Sequence, residues 1–403
     1  MTTLNKKNLK RIFSGILAFI MVATTVPQTL MATELWSETN RTIVPQDSMD
    51  ITDDFTDPVF LEIVRDVSGI AQGPIYSHHL ASITHIVYST GIHNIRSLAG
   101  IEHFPSLVVL DLPTNRIDVP VDLSRNTNLE HVRLAENRVV VDGASVYYLT
   151  AINLGNNPNL RYLFLSSTGI SSLDLTGTPN IATLNIAETP NLTTLLFAEG
   201  GMPNLQHIQA FGQTAGDRQN GLTSLSLNNA PNLQAVNLSL NPNLQSVSIT
   251  NTGMTSFIAT HFPIATTDYV DFSNNPNLGT VNFSGGRFSE FDGAVLSPSV
   301  HTLNLFNNGL TSLDISTLVN LDYININNNN LTTVDFSQNA ALGNVSANNN
   351  RFEGIVDFSN NPNLWSVHMS NNYITGMDIT GSRIGTQNRP GFFNTHPFDL
   401  TNN

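Results

Sequence analysis

Residues 301–350 read HTLNLFNNGLTSLDISTLVNLDYININNNNLTTVDFSQNAALGNVSANNN, and one pattern recurs through this stretch. Two apolar residues separated by a single residue return at intervals of 21, at Leu303/Leu305, Ile324/Ile326 and Val345/Ala347. An asparagine follows three residues after each pair, at Asn308, Asn329 and Asn350. A fixed period of this length indicates one supersecondary unit copied end on end, so the pattern predicts a solenoid.

The pattern extends in both directions, to Val367/Met369 with Asn372 and back to Leu110/Leu112 with Asn115 and Val132/Leu134 with Asn137. Each apolar pair would bury two side chains on one face of a short strand. Each asparagine would bond the backbone where the chain leaves that strand. The sequence therefore predicts a structural asparagine ladder at Asn115, Asn137, Asn308, Asn329, Asn350 and Asn372.

With the apolar residue that precedes each pair, the motif becomes L-x-x-L-x-L-x-x-N, which resembles the leucine-rich repeat family. A second apolar step, such as Leu313-Asp314-Ile315, follows the first by 10 or 11 residues. We therefore expect a mostly β repeat solenoid with parallel sheets, coils of about 21 residues and two apolar steps per coil. Between residues 178 and 300 the intervals are irregular, and the phase of the coils stays open there.

A helix is predicted before the repeats. Asp57 is a suitable N-cap and Pro58 suits the first helical position, while Gly69 is a natural end. This start, with the first coil around Ile95 and Leu98, is similar to the capped start of internalin-type proteins of Gram-positive bacteria. The resemblance implies an N-terminal helical cap, a bacterial source and a place at the cell surface. It does not carry over any receptor.

The N-terminal segment is typical of an export signal, with Lys6, Lys7, Lys10 and Arg11 before an apolar run and a small residue at Ala32. The apolar run is short for a membrane span, so a cleaved signal is favoured, with a membrane anchor as the alternative. No membrane insertion is expected after cleavage. The predicted organisation is a signal peptide at 1–32, an acidic linker at 33–54, the helical cap at 55–82, the solenoid at 83–380 and a C-terminal cap or tail at 381–403.

Composition excludes several function classes. The 403 residues carry a net charge of −14 and contain no cysteine. Disulfides and cysteine-bound metals are therefore excluded, and the acidic body argues against nucleic-acid partners. No catalytic motif is found, no cofactor is predicted, and an enzyme is the least favoured class.

The repeated aspartates (Asp314, Asp335, Asp357 and Asp378) are interpreted as structural, with bound calcium as the alternative. His78, His79, His85 and His93 are interpreted as polar residues of the cap, with a metal cluster as the alternative.

Large side chains beside the apolar steps are the candidate binding residues, because those positions project from the sheet into solvent. The candidates are Arg161, Tyr162, Phe164, His131, Arg133, Phe306, Tyr323, Trp365 and His368. The middle of the chain, where the phase is open, adds Leu196, His207, Phe211 and Tyr269, with a core position as the alternative for Phe211 and Tyr269. Exposed aromatic residues on a polar sheet are where binding energy concentrates.

We expect a secreted, non-catalytic, monomeric binding module for an extracellular protein or polysaccharide, either released or held non-covalently at the cell wall. The alternative is a structural or adhesive spacer.

Overall fold

The computed structural model describes residues 49–89, 94–213, 218–384 and 398–403. Within them the chain forms a leucine-rich repeat solenoid that is mostly β, with few helices, as the period predicts. The predicted signal peptide, the linker up to residue 48 and His93 lie outside the described residues.

A main sheet of 14 parallel strands receives one strand from each coil. In spatial order its strands are β1 (His85–Val87), β2 (Val109–Asp111), β4 (His131–Arg133), β8 (Tyr162–Phe164), β10 (Thr183–Asn185), β12 (His207–Gln209), β14 (Ala235–Asn237), β16 (Ser256–Ile258), β18 (Thr280–Asn282), β20 (Thr302–Asn304), β22 (Tyr323–Asn325), β23 (Asn344–Ser346), β25 (Ser366–His368) and β27 (Phe398–Asp399). Strand β27 lies within the segment for which the sequence predicts a C-terminal cap or tail.

The second apolar step of the coils forms short parallel sheets on the other side of the core. Their strands are β3 (Val121–Asp122) with β7 (Ile152–Asn153), β9 (Ser172–Asp174) with β11 (Thr194–Leu196), β13 (Ser224–Ala230) with β15 (Ser246–Thr252) and β17 (Val270–Asp271), β19 (Glu290–Asp292) with β21 (Ser312–Asp314), and β24 (Glu353–Asp357) with β26 (Tyr373–Asp378). The two apolar steps thus face one shared core, as expected.

The register of the main sheet aligns equivalent positions of successive coils. Leu303 lies opposite Ile324 and Ile324 opposite Val345, and all three are fully buried. Because side chains alternate between the two faces of a strand, the residues on either side of each buried one point outward. Burial of one apolar column therefore fixes which residues every coil presents to solvent.

The asparagine ladder bonds the backbone where the chain leaves β2, β4, β20, β22, β23 and β25. Asn329 donates through Nδ2 to the carbonyls of Leu305 and Ile326, at 3.0 and 2.9 Å, and its Oδ1 accepts from the amides of Asn308 and Leu310. All six predicted asparagines donate to the carbonyl three residues earlier, as the bonds of Asn115, Asn137, Asn308, Asn329, Asn350 and Asn372 confirm. The amide satisfies backbone groups that the turn leaves without partners.

The N-terminal helix α1 (Pro58–Ser68) covers the first coil. Asp57 caps it by accepting from the amides of Val59 and Phe60, and its second carboxylate oxygen accepts from Arg96 N at 2.7 Å. Gly69 ends the helix with φ of 73°. One buried carboxylate therefore joins the cap to the repeats, which protects an apolar end that has no neighbouring coil.

A second helix, α2 (Ser77–Leu80), contains His78 and His79. Because this segment is helical, the two rings lie on neighbouring positions of one turn, 4.2 Å apart between their centroids. His79 Nδ1 accepts from the backbone amide of Tyr76 at 3.1 Å, and the His78 ring stacks on Tyr76. These contacts give both rings a structural position within the cap.

Candidate binding surface

The outward residues of strands β4 and β8 form a compact group, here called the aromatic patch, made of His131, Arg133, Arg161, Tyr162 and Phe164. The strand register places His131 opposite Tyr162 and Arg133 opposite Phe164. The His131 ring lies 6.0 Å from the Tyr162 ring and 5.5 Å from the Phe164 ring, measured between centroids. The sequence named these residues singly, and the fold brings them together on two adjacent strands.

Exposure within the aromatic patch is graded. Tyr162 is 43% exposed and Arg161 is also exposed, whereas His131 and Phe164 are half-buried. The inner rings are packed against each other and leave the Tyr162 ring available. An aromatic side chain that is held by neighbours loses little conformational entropy when a partner binds it.

The charges beside the aromatic patch are fixed by an ion pair across two strands. Arg133 Nη1 lies 3.8 Å from Asp111 Oδ1, on the neighbouring strand β2. Burial raises the pKa of Asp111, and the nearby Arg133 opposes that shift. Burial lowers the pKa of His131, so the neutral imidazole is favoured. The patch consequently combines an apolar ring surface with one tethered guanidinium and the exposed Arg161.

The other candidate residues lie far along the same sheet. Tyr323 is on β22, where burial raises its pKa, and Phe306 follows β20 and is 37% exposed. Seven strand steps separate β8 from β22, which at the usual strand spacing is about 30 Å. The nine predicted residues therefore form two groups on one face, and the structure does not bring them into a single site.

Trp365 and His368 belong to the second group, in and just before β25. The Trp365 indole lies against Gly343 of the preceding coil, where an added Cβ would be 2.8 Å from Nε1. His368 Nε2 lies 3.1 Å from Ser366 Oγ. Both side chains are half-buried, so each offers only part of its ring to solvent.

In the irregular middle of the chain, the large candidate residues are divided between the two sides of the core. Leu196 lies on β11, in the second set of strands, and Tyr269 precedes β17 on that same side and is 63% exposed. The alternative that Tyr269 is a core residue is therefore wrong. His207 remains on the main sheet in β12. The units of 11 residues alternate between the two sides, which is why sequence spacing alone left the phase open.

A β-hairpin next to the aromatic patch was missed by the sequence analysis. Strands β5 (Arg138–Val141) and β6 (Ala144–Tyr147) pair antiparallel directly after Asn137, at the exit of β4. The turn residues Asp142 and Gly143 have φ of 51° and 84°. Asp-Gly between two valine-containing runs is a strong hairpin signal that the sequence contained. The hairpin exposes Val140, Val141 and Val146.

A second, exposed asparagine ladder was also missed. Asn349 Nδ2 donates to Asn328 Oδ1 at 2.7 Å, Asn371 Nδ2 to Asn349 Oδ1 at 2.7 Å, and Asn402 Nδ2 to Asn371 Oδ1 at 2.8 Å. Asn328, Asn349 and Asn371 each immediately precede a buried ladder asparagine. All four residues have a positive φ, between 56° and 60°. The doublets Asn328-Asn329, Asn349-Asn350 and Asn371-Asn372 were the available signal.

The repeated aspartates make tight turns. Asp314, Asp335, Asp357 and Asp378 each accept a bond from the backbone amide two residues later, at 2.8 to 2.9 Å. Hydrogen bonds from Ser316 and Ser337 lower the pKa of Asp314 and of Asp335. Within the described part of the chain, no group of three or more His, Cys, Asp or Glu side chains is arranged to hold a metal ion.

Comparisons with solved structures return leucine-rich repeat proteins. An internalin of Listeria monocytogenes, InlF, is 18% identical, with 86% of this chain and 100% of that chain covered and a TM-score of 0.41. The functional domain of InlJ from the same species is 19% identical, covering 81% and 76%, with a TM-score of 0.35. A leucine-rich repeat protein of Leptospira interrogans is 18% identical, covering 75% and 87%, with a TM-score of 0.34. Neither the models of known protein families nor the curated proteins give a match.

The helices of the described residues include none with the length and apolarity that a bilayer span requires.

Proposed function

We propose that this chain is an exported, non-catalytic binding protein that takes a partner protein on the aromatic patch. The observation that carries the proposal is the contact of the His131, Tyr162 and Phe164 rings on two adjacent strands, flanked by Arg133 and Arg161. Tyrosine and arginine are enriched among residues that dominate binding energy, and such residues cluster at interface centres.

The surroundings of the patch favour a protein partner. The hairpin extends from the same coil as β4 and exposes three valines, which adds apolar surface to that coil. Exposed apolar groups rimmed by polar residues are typical of protein interaction sites. Arg161 and the Arg133–Asp111 pair supply charge at the rim, where it affects association rate and specificity more than affinity.

Export is the second part of the proposal and rests on the N-terminal sequence. Lys6, Lys7 and Lys10 precede the apolar run and a small residue at Ala32, the order of a signal peptide. The test is N-terminal sequencing of the protein recovered from culture medium and from washed cell wall. A mature chain starting near Thr33 in either fraction is expected, and an uncleaved chain confined to the cytoplasm would contradict export.

Binding is tested with the mature chain immobilised and exposed to solubilised surface proteins of candidate host cells. A double variant, Tyr162→Ser with Phe164→Ser, is expected to lose the captured protein. The matched control is Leu196→Ser with Tyr269→Ser, which removes two large exposed side chains from the other side of the solenoid. Equal capture by the parent, the patch variant and the control would contradict binding at the patch, and would favour the spacer alternative.

A further inference from the structure

The outward side of the C-terminal coils differs chemically from the aromatic patch. We call it the amide face, and it comprises the outward residues of β20, β22, β23 and β25, the residues that follow those strands, and the exposed asparagine ladder. Its members are Thr302, Asn304, Phe306, Tyr323, Asn325, Asn327, Asn328, Asn344, Ser346, Asn348, Asn349, His368, Ser370 and Asn371. None of these residues is a lysine, arginine, aspartate or glutamate. One half-buried carboxylate, that of Asp322, lies at the edge of the face, directly before β22.

The amides of this face are ordered by bonds to one another. The ladder from Asn328 through Asn349 to Asn371 uses one N–H of each donor and one side of each oxygen. Asn327 donates to Ser346 Oγ at 2.8 Å and accepts from the amide of Asn348 at 2.6 Å. A side-chain amide has two N–H donors and two acceptor sites, so each exposed ladder member keeps capacity for an external partner.

We propose that the amide face binds a neutral polysaccharide, with the sugar chain lying along the repeat axis across successive coils. This site is separate from the aromatic patch and does not depend on the partner protein proposed for it. With no charged side chain among its members, the face itself offers no ion pair to a charged ligand. In contrast, paired donors and acceptors match hydroxyl groups, which both donate and accept.

The periodicity of the face favours a polymer over a small molecule. Adjacent strands repeat at about 4.8 Å, comparable with the length of one sugar unit in an extended polysaccharide. Asn328, Asn349 and Asn371 therefore present the same amide once per coil to successive sugars. Phe306 and Tyr323 lie on neighbouring coils and offer ring surface to the C–H faces of a sugar.

Preorganisation strengthens the inference. The ladder bonds hold each amide in one orientation before any ligand arrives, which reduces the entropy lost on binding. The positive φ of the three ladder asparagines fixes their outward direction, because the following residue, Asn329, Asn350 or Asn372, turns into the core.

The test is affinity electrophoresis of the full mature chain in native gels that contain a soluble polysaccharide. The probes are hydroxyethyl cellulose, xyloglucan, mannan, glycol chitin and dextran, with polygalacturonate as the anionic comparator. We expect retardation by at least one of the neutral polymers and none by polygalacturonate. Absence of retardation by every neutral polymer would overturn the proposal, as would retention by polygalacturonate.

A triple variant tests the location. Asn328→Gly, Asn349→Gly and Asn371→Gly removes the ladder amides, and glycine accepts the positive φ at each position. The dissociation constant is expected to rise at least about tenfold, which corresponds to about 1.4 kcal/mol. The matched control is Asn229→Gly, Asn251→Gly and Asn274→Gly, three exposed asparagines with positive φ on the other side of the solenoid.

Two further outcomes are decisive. An equal loss of affinity in the triple variant and its control would overturn the assignment to the amide face. The Tyr162→Ser and Phe164→Ser variant is expected to retain polysaccharide binding, so a failure of the protein-binding proposal leaves this one standing. Urea unfolding of each variant confirms that the fold is retained.

Discussion

The coils around β4 and β8 and the coils from β20 to β25 share the same pattern of buried residues. They present different kinds of side chain to solvent. In both, an apolar column is buried and a ladder asparagine bonds the carbonyl three residues earlier, as at Asn137 and Asn329. The outward positions differ, with packed aromatic rings and arginine in the first and amides in the second. The repeat constrains only the residues that point into the core. The outward residues, and with them the ligand that is bound, can therefore change along the solenoid without any change of fold.

Removal of the ladder amide in each region tests whether the ladder asparagine has the same structural role in both. Asn137→Ala and Asn329→Ala each leave buried carbonyl and N–H groups without partners, and we expect each to lower the free energy of unfolding by about 1–3 kcal/mol. Urea denaturation followed by circular dichroism measures the change. Asn328→Gly, which removes the exposed neighbour, is expected to change it by less than about 0.5 kcal/mol. A loss of unfolding free energy in only one region would show that the ladder asparagine does not have the same role in both.

The difference between the regions is tested by truncating the outermost ring of the aromatic patch. Tyr162→Ala is expected to weaken binding of the captured partner protein by about 2 kcal/mol, or roughly thirtyfold in the dissociation constant. Surface plasmon resonance with the purified partner measures it. Tyr323→Ala is the counterpart on the amide face and should leave this affinity unchanged. Equal effects of the two substitutions would show that the partner does not distinguish the regions.

The features of the fold that involve inward residues could be predicted from the sequence, whereas most features of the outward surface could not. The asparagine ladder and the helix cap at Asp57 were predictable, because backbone groups at a turn or a helix start accept few side chains. The exposed ladder was missed although the spacing marks Asn329 as the buried position and the doublet places Asn328 before it. That Asn328 has a positive φ and accepts a bond from Asn349 of the next coil depends on the backbone of both coils. Similarly, Leu195 and Leu184 occupy similar steps, yet they lie on opposite sides of the core.

Contacts between outward residues depend on the register of strands that are far apart in sequence. The packing of His131 against Tyr162 spans 31 residues, because the hairpin lengthens that coil. A regular period predicts neither this insertion nor the ring contact that results. The Asp142-Gly143 signal was sufficient for the hairpin itself, but its consequence for the patch required the fold.

Burial of His131 makes the stability of the coils around the aromatic patch depend on pH. Burial lowers the pKa of His131, so below the ordinary value of about 6.5 the unfolded chain binds a proton that the folded chain resists. Stability from this group is therefore present at pH 7 and is lost as the pH falls toward 6. His131→Gln should reduce the decrease in unfolding free energy between pH 7 and 6, measured by urea titration. An equal change in His301→Gln, an exposed histidine, would contradict the role of burial.

The smallest expected effect concerns the aspartates on the other side of the core, which are common to the C-terminal coils. Asp335→Asn keeps an oxygen that can accept from Ser337 N, whereas Asp335→Ala removes that turn bond and should cost about 0.5 kcal/mol, the low end for an exposed group. If these carboxylates are only turn acceptors, millimolar calcium leaves the midpoint of thermal unfolding unchanged in the parent and in both variants. A calcium-dependent rise that Asp335→Asn abolishes would instead make the aspartate column a cation site. It would also add a third chemistry to the side of the solenoid that the two proposed sites do not use.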